Sequence, residues 1–203
     1  MIRKLIAPSF VFLLATVLIG AMPTTMKSLE IRGVDVQEHT IPAENAKATV
    51  LFFIATECPI ANSYARELNR LYDDYADKGI ALFLVYPDPT LTAKAAEQHL
   101  HDYELKAPAI IDKDQILVKA TGATKTPEAA IISPKGEILY LGRIDNKHAD
   151  YGKPRPRATK YELRDALDEI LASKPVSVAH ADAVGCYILE PKPDPSAQAP
   201  ATK

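Results

Sequence analysis

The chain has 203 residues, a length that suits one folded domain with terminal extensions, and 47% of them are hydrophobic, enough to build a buried core. Its 24 lysine and arginine residues nearly balance 26 aspartate and glutamate residues, for a formal net charge of -2. This balance disfavours nucleic acids and anionic membrane surfaces as partners.

The N-terminal segment has the pattern of an export signal. Arg3 and Lys4 precede an apolar run over residues 5–21 that ends in small side chains. Residues 1–21 are therefore predicted to be a signal peptide, or an N-terminal membrane anchor if they stay uncleaved, because the run approaches the ~20 residues that span a membrane. We expect an exported protein, periplasmic or secreted, that meets a membrane only through an uncleaved segment.

The first predicted elements behind this segment are strands. Residues 29–32 and 34–36 alternate around Gly33 as two edge strands or a hairpin would. Residues 48–55 form a continuous apolar run rich in β-branched and aromatic side chains. Such a run is typical of a central strand that is buried on both faces of its sheet.

A helix is predicted to begin directly after Cys58 and Pro59. Apolar side chains recur at every third or fourth position over residues 60–76, and Gly79 follows. Proline suits the first helical turn, where a missing N–H costs nothing. A second apolar strand over residues 80–86 completes a β-α-β unit, which favours a parallel pair of strands.

The remaining pattern predicts two helices around a short strand, then a hairpin with a tight turn, then a last amphipathic helix. In chain order these elements are a helix at 91–103, a strand or extended link at 108–112, a helix at 114–121, hairpin strands at 128–133 and 137–142, and a helix at 159–172.

This order of elements is the thioredoxin arrangement, so the predicted fold class is α/β, with a central mixed β-sheet flanked by helices. We expect one thioredoxin-like domain over residues 29–190 that includes a C-terminal extension. Residues 191–203 are rich in Pro, Ala and Ser without periodicity, and are predicted to be a disordered tail.

Cys58 is the strongest candidate for a functional residue. It lies where a buried strand has ended and a helix begins, so its sulfur should face the first N–H groups of the helix and the positive end of the helix dipole. That placement lowers a thiol pKa below its usual value of about 8.5 and favours a reactive thiolate.

Thr126 and Pro127 stand immediately before the predicted hairpin. In the thioredoxin arrangement a proline here is cis, and the residue before it offers backbone groups beside the active sulfur to a substrate chain. We therefore predict Thr126 and Pro127 as substrate-binding residues. Two carboxylates, Glu57 and Glu128, should flank the sulfur and are candidates for proton transfer.

Three segments together resemble the redoxin branch of the thioredoxin superfamily, which is related to alkyl hydroperoxide reductases and thiol-specific antioxidant proteins. They are residues 53–61, 126–128 and 140–145. The resemblance spans roughly residues 29–190 and implies a thioredoxin fold with Cys58 in the place of the reactive cysteine. Similar proteins often end in a Gly-Cys-x-Ile segment after the last helix, which is the context of Cys186.

The chain departs from two patterns of this superfamily. A dithiol oxidoreductase carries Cys-x-x-Cys, but Ala61 stands where the second cysteine belongs. A peroxiredoxin carries Thr three residues before its reactive cysteine, where this chain has Ala55. Cys186 is the other cysteine and follows an extended segment long enough to fold back, so a pair with Cys58 and a lone thiol both stay open.

The leading hypothesis is an exported thiol-disulfide oxidoreductase with Cys58 as nucleophile and Cys186 as the candidate that resolves the mixed disulfide. Its partners are expected to be protein or small-molecule thiols and disulfides, and no cofactor is expected. Two alternatives stay open: a copper-binding or non-enzymatic redox module that uses both cysteines and His148, and a peroxiredoxin-like peroxidase with an altered pocket. The remaining histidines, His39, His99, His101 and His180, are expected on the solvated surface.

Overall fold

The computed structural model describes residues 25–191. The predicted signal or anchor segment, residues 1–21, lies outside the described residues, and so does the predicted tail apart from Pro191. Within the described part of the chain, no helix is both long and apolar enough to cross a membrane.

The described residues form short strands and helices in alternation. The strands are β1 (Leu29–Arg32), β2 (Glu38–Ile41), β3 (Ala48–Phe53), β4 (Ile80–Tyr86), β5 (Ala109–Ile111), β6 (Lys125–Thr126), β7 (Glu128–Ile132), β8 (Ile138–Gly142), β9 (His148–Asp150), β10 (Lys153–Pro154), β11 (His180–Ala181) and β12 (Cys186–Tyr187). The helices are α1 (Pro59–Ser63), α2 (Ala65–Tyr75), α3 (Ala93–Asp102), α4 (Ile116–Thr121) and α5 (Glu162–Leu171), and a 3-10 turn (Ala76–Lys78) follows α2.

The fold is built on a mixed sheet of six strands in the order β11-β8-β7-β3-β4-β5. β3 lies near its middle, parallel to β4 and antiparallel to β7. The predicted β-α-β unit and the predicted hairpin, now β7 and β8, are both confirmed. Helices flank this sheet, which confirms the predicted thioredoxin-like α/β fold.

The hydrophobic core lies on both faces of the sheet. In β3, Val50 and Phe52 belong to the cluster that contains residues of α2, α3 and α5. Leu51 and Phe53 belong to the cluster that contains residues of α4 and the β1–β2 hairpin. Full burial of one such side chain contributes roughly 1.5–3 kcal/mol, so the continuous apolar run is explained by burial on both faces of the strand.

Side-chain caps set where two of the helices begin. The Thr92 side chain accepts a hydrogen bond from the Ala95 N–H, and α3 begins one residue later than this cap. The carboxylate of Asp112 accepts hydrogen bonds from the N–H groups of residues 116–118, at the start of α4. Both helices are therefore shorter at their N-terminal ends than the apolar pattern predicts.

Two predicted elements near the N-terminal half differ in the structure. The strand predicted over residues 34–36 is wrong, because this segment is a turn in which Val36 has a φ of 58° and the hairpin partner of β1 is β2. The single helix predicted over residues 60–76 divides at Tyr64 into α1 and α2. The Tyr64 hydroxyl donates to the Asp145 carboxylate at 2.6 Å, which ties the break to the loop after β8.

The segment after α5 returns to the sheet and then crosses toward Cys58. β11 pairs in parallel with β8, and β12 pairs antiparallel with β6, opposing Cys186 to Thr126. Residues 183–191 are named the strap. The strap is anchored further by the Ile188 N–H, which donates to the Thr124 carbonyl at 2.9 Å, and by the Gln115 amide, which donates to the Leu189 carbonyl at 2.7 Å.

Candidate active site

Cys58 caps the N-terminus of α1, just beyond the end of β3. Its backbone is still extended, with φ -92° and ψ 105°, and Pro59 opens the helix. The residue is only 1% exposed. Its thiol donates a hydrogen bond to the Thr126 carbonyl at 3.0 Å, so the residue before Pro127 does lie against the sulfur.

Burial and hydrogen bonding act in opposite directions on the pKa of Cys58. Burial raises this pKa, because it disfavours the charged thiolate. Hydrogen bonds from the Cys186 thiol, the Ala61 N–H, the Thr126 hydroxyl and the Cys186 N–H lower it, and together they outweigh burial. The net pKa of Cys58 is lowered, as the sequence predicts.

The lowered pKa of Cys58 has a cause that differs in part from the predicted one. α1 has only five residues, so the dipole of a long helix is not available to stabilise the thiolate. Individual hydrogen-bond donors lower the pKa instead, and Ala61 is the helix residue among them. Thr126 contributes a buried hydroxyl that has no partner other than the Cys58 sulfur among the described atoms of the protein, which leaves it available to a thiolate.

Cys186 lies beside Cys58. It is paired with Thr126, whose carbonyl accepts the hydrogen bond of the Cys58 thiol, and both cysteines are free thiols that line the same groove. Burial, the hydrogen bond to Cys58 and the charge of Cys58 raise the pKa of Cys186 to about 11. The pair is therefore unequal: the thiolate is favoured on Cys58, and the proton is held on Cys186.

The Thr126–Pro127 peptide bond is cis, and both residues are buried. The backbone edge of Thr126 faces Cys186 in the β6–β12 pair. The strap thus occupies the edge at which a substrate chain was expected to pair. Gly185 allows this close approach, since a Cβ on it would stand 2.1 Å from the Thr126 carbonyl oxygen.

The two candidate carboxylates occupy different positions. Glu57 is exposed and lines the groove beside Cys58. Glu128 is buried, and its carboxylate accepts hydrogen bonds from the N–H groups of Thr124 at 2.6 Å and Lys125 at 3.1 Å. These contacts give Glu128 a structural part in the loop before Pro127, and among the described residues no hydrogen bond joins it to Cys58.

His148 lies away from the paired cysteines. Its Nε2 is 3.2 Å from the Ser63 hydroxyl, and its ring lies against the Tyr64 ring with the centroids 5.6 Å apart. Between residues 25 and 191, no three His, Cys, Asp or Glu side chains come together as a metal site would require. The copper-binding alternative therefore gains no site from Cys58, Cys186 and His148.

Both cysteines line a groove of about 640 Å³, a volume that suits a small ligand. Its walls are mostly apolar, and the strap supplies one of them. The apolar lining residues are Ala55, Pro87, Pro89, Tyr187, Ile188, Leu189 and Pro191.

His99 is not a surface residue, and that expectation is wrong. It is 7% exposed, and its Nδ1 and Nε2 atoms lie 2.8 Å from the Tyr86 hydroxyl and 3.0 Å from Asn62 Oδ1. The Asn62 amide in turn donates to the Thr56 carbonyl at 2.8 Å, in the loop that leads to Cys58. The sequence signal was the position of His99 three residues after Ala96, on the inward face of α3.

The Thr56 carbonyl determines which atoms donate and which accept in the hydrogen bonds between Thr56, Asn62 and His99. A carbonyl oxygen can only accept, so Asn62 turns its amide nitrogen toward Thr56 and its oxygen toward His99. The Nε2 atom of His99 must then carry a proton. Burial lowers the pKa of His99 and so favours the neutral ring, in which Nδ1 accepts from the Tyr86 hydroxyl. The network connects β4 and α3 to the Cys58 loop.

Comparison with known proteins finds one family whose model matches much of the chain. The AhpC/TSA family model matches residues 21–141. Among curated relatives, the thiol-disulfide oxidoreductase ResA of Bacillus thuringiensis subsp. konkukian is 28% identical over 93 residues, covering 46% of this chain and 53% of the relative. ResA of Halalkalibacterium halodurans is 28% identical over 96 residues, covering 47% and 53%. The chain spans about half the length of the curated relatives it matches.

Solved structures confirm the fold. A hypothetical protein from Sinorhizobium meliloti 1021 has a TM-score of 0.71 at 22% identity, over 84% of this chain and 95% of that one. An uncharacterized conserved protein from Geobacillus kaustophilus has a TM-score of 0.70 at 24% identity, over 86% and 94%. StoA from Bacillus subtilis has a TM-score of 0.52 at 19% identity, over 59% and 89%.

Proposed function

The chain belongs to the AhpC/TSA family, and from this premise we propose that it is a thiol-disulfide oxidoreductase whose redox pair is Cys58 and Cys186. The observation that carries the proposal is the position of Cys186, which is paired with Thr126, the residue whose carbonyl accepts the hydrogen bond of the Cys58 thiol, and which lines the same groove as Cys58. The relatives named thiol-disulfide oxidoreductase support the same activity.

The pair carries two electrons between thiols and disulfides. In the reduced state, the thiolate is favoured on Cys58 over Cys186, and Cys186 holds a proton. When the pair is oxidised, an S–S bond forms between the two sulfurs, and two electrons pass to a substrate disulfide, which leaves as two thiols. The exchange runs through a mixed disulfide of one cysteine with the substrate.

We place this activity outside the cytoplasm, in one domain over residues 29–190. The predicted signal or anchor at residues 1–21 supports export. An oxidising compartment also suits the chemistry, since disulfides persist there and are rare in the cytosol.

The proposal is tested by following oxidation of the purified, reduced protein with hydroxyethyl disulfide. We expect the wild-type protein to lose both free thiols and two hydrogen atoms of mass, because one intramolecular disulfide forms. The matched variants Cys58→Ser and Cys186→Ser should each stop at a mixed disulfide. Two free thiols that persist in the oxidised wild-type protein would refute the redox pair.

A peroxide assay serves as the second arm. Hydrogen peroxide consumption is measured for the wild-type protein and for Cys58→Ser, with the same thiol reductant. Peroxide turnover that depends on Cys58 and exceeds turnover of the disulfide would replace the proposed function with the peroxidase alternative.

A further inference from the structure

We propose that Cys186, rather than Cys58, is the sulfur that exchanges with the substrate, and that Cys58 is the buried thiolate that leaves and returns. This inference rests on the proposed redox pair and assigns a role to each sulfur. It reverses the order of attack that the sequence suggested, in which Cys58 was the nucleophile and Cys186 resolved the mixed disulfide.

Access to the two sulfurs is the first argument. Cys58 is 1% exposed, whereas Cys186 is partly exposed and is followed by Tyr187, 73% exposed. An incoming thiolate attacks a disulfide sulfur from the side opposite the leaving sulfur, so access decides which sulfur is attacked. Both cysteines line the groove, but Cys58 is almost fully covered and Cys186 is partly exposed, so attack from solvent reaches Cys186.

The ease of departure is the second argument. In thiol exchange, the sulfur with the lower pKa leaves faster. Attack on Cys186 releases Cys58, whose thiolate is met by the Ala61 N–H and by the Thr126 hydroxyl, a buried donor with no other partner among the described atoms. Attack on Cys58 would instead release Cys186, whose surroundings favour the protonated thiol.

The strap is the third argument. β12 pairs with β6, and Ile188 and Leu189 continue the contact through hydrogen bonds to Thr124 and Gln115. A substrate chain cannot pair with Thr126 while the strap is in place. Thr126 is therefore a positioning residue that holds Cys186 beside Cys58, and the substrate enters through the groove as a small thiol or disulfide.

The exchange takes two attacks. A small thiolate RS⁻ attacks Cys186 of the oxidised pair: an S–S bond forms between Cys186 and the sulfur of RS⁻, and the bond between the two cysteines breaks with its electron pair on Cys58. A second RS⁻ then attacks the substrate sulfur of this mixed disulfide, which releases RSSR and leaves Cys186 as a thiolate that takes a proton from water. Two substrate thiols are oxidised, and the disulfide of the protein is reduced.

The test locates the mixed disulfide. The oxidised full-length protein is exposed briefly to 2-mercaptoethanol, quenched with acid and alkylated, and the adduct is mapped by peptide mass spectrometry. The two cysteines fall on different tryptic peptides. We expect adducts on Cys186 to exceed those on Cys58 by about tenfold or more, with the alkyl label on Cys58.

Two outcomes would overturn the inference, and they are distinguishable. If the intramolecular disulfide forms but the adduct lies mainly on Cys58, the assignment of roles fails and the redox pair stands. If oxidation yields no intramolecular disulfide, the proposed function fails and the inference falls with it. A second measurement compares Cys58→Ser with Cys186→Ser: at equal thiolate fraction, Cys58→Ser should form a mixed disulfide with hydroxyethyl disulfide about tenfold faster.

Discussion

His99 shows how a single side chain can fix a loop that it does not contact directly. It lies on α3 and reaches the Cys58 loop through Asn62, whose amide holds the Thr56 carbonyl. Burial lowers the pKa of His99, although the charges of Asp102 and Glu57 raise it. The neutral ring is therefore the form that fits the folded protein.

This burial predicts a pH-dependent stability with a definite sign. Because the folded protein binds a proton at His99 less readily than the unfolded chain does, stability falls as the pH drops below about 6.5, by at most about 1.4 kcal/mol per pH unit. We expect His99→Gln to reduce this slope in urea titrations made at a series of pH values. A slope equal to that of the wild-type protein would contradict the prediction.

The control for this experiment lies on the same helix. His101→Gln removes an exposed imidazole from the same helix and is the matched control for the substitution itself. Burial and Lys147 lower the pKa of His148 as well, so part of the slope is expected to remain in His99→Gln.

Some of these residues could be predicted from the sequence and others could not. Cys58 could, because the end of an apolar strand, a proline and the start of a helical pattern all fall between residues 55 and 60. The surroundings of His99 could not, since its partners Tyr86 and Asn62 come from other elements and no local pattern brings them together.

At the scale of elements, the strap determines what the candidate site exposes. Its strand β12 has two residues, too few to show a period in the sequence. Pairing with β6 is what places Cys186, and β6 is equally short. The sequence therefore shows that the chain is long enough for Cys186 to reach Cys58, but it does not predict that the strap covers Thr126.

Gly185→Ala is expected to loosen the strap. A Cβ at this position would stand 2.1 Å from the Thr126 carbonyl oxygen and 3.1 Å from the Pro127 nitrogen, so the strap must shift. We expect alkylation of Cys58 by iodoacetamide, compared at equal thiolate fraction, to become about tenfold faster or more as the sulfur becomes accessible.

The control for this variant is Gly152→Ala, a glycine replacement outside the strap: the added Cβ meets nothing within 4 Å, and the φ of +71° strains only the turn in which Gly152 lies. Peptide mass spectrometry separates the alkylation of Cys58 from that of Cys186. Alkylation of Cys58 in Gly185→Ala at the wild-type rate would show that the strap does not limit access to this sulfur.

For the molecule as a whole, the sheet and its two buried faces follow from patterns that the sequence displays. The runs that became β3 and β4 are long enough to identify, and their burial on both faces fixes the layers. The small hairpin of β9 and β10 and the edge strand β11 were not predicted, because strands of two or three residues are too short to show a period, and β11 also pairs with a strand that is distant in sequence.

Closing the redox pair should stabilise the whole fold. A disulfide between Cys58 and Cys186 closes a long loop, worth at most about 4–5 kcal/mol by the chain-entropy model. At roughly 2–4 °C per kcal/mol for a chain of this size, we expect the oxidised protein to melt on the order of 10 °C above the reduced protein. Calorimetry with and without dithiothreitol measures this shift, and Cys186→Ser should show none.

The position of the strap in the chain has a consequence for biosynthesis. Every strand of the sheet and every described helix precede it, so a growing polypeptide can collapse around β3 before Cys186 has left the ribosome. During that interval Cys58 and the Thr126 edge are uncovered and open to other thiols and to passing strands. When the strap folds onto β6, it covers the Thr126 edge and at the same time brings Cys186 beside Cys58.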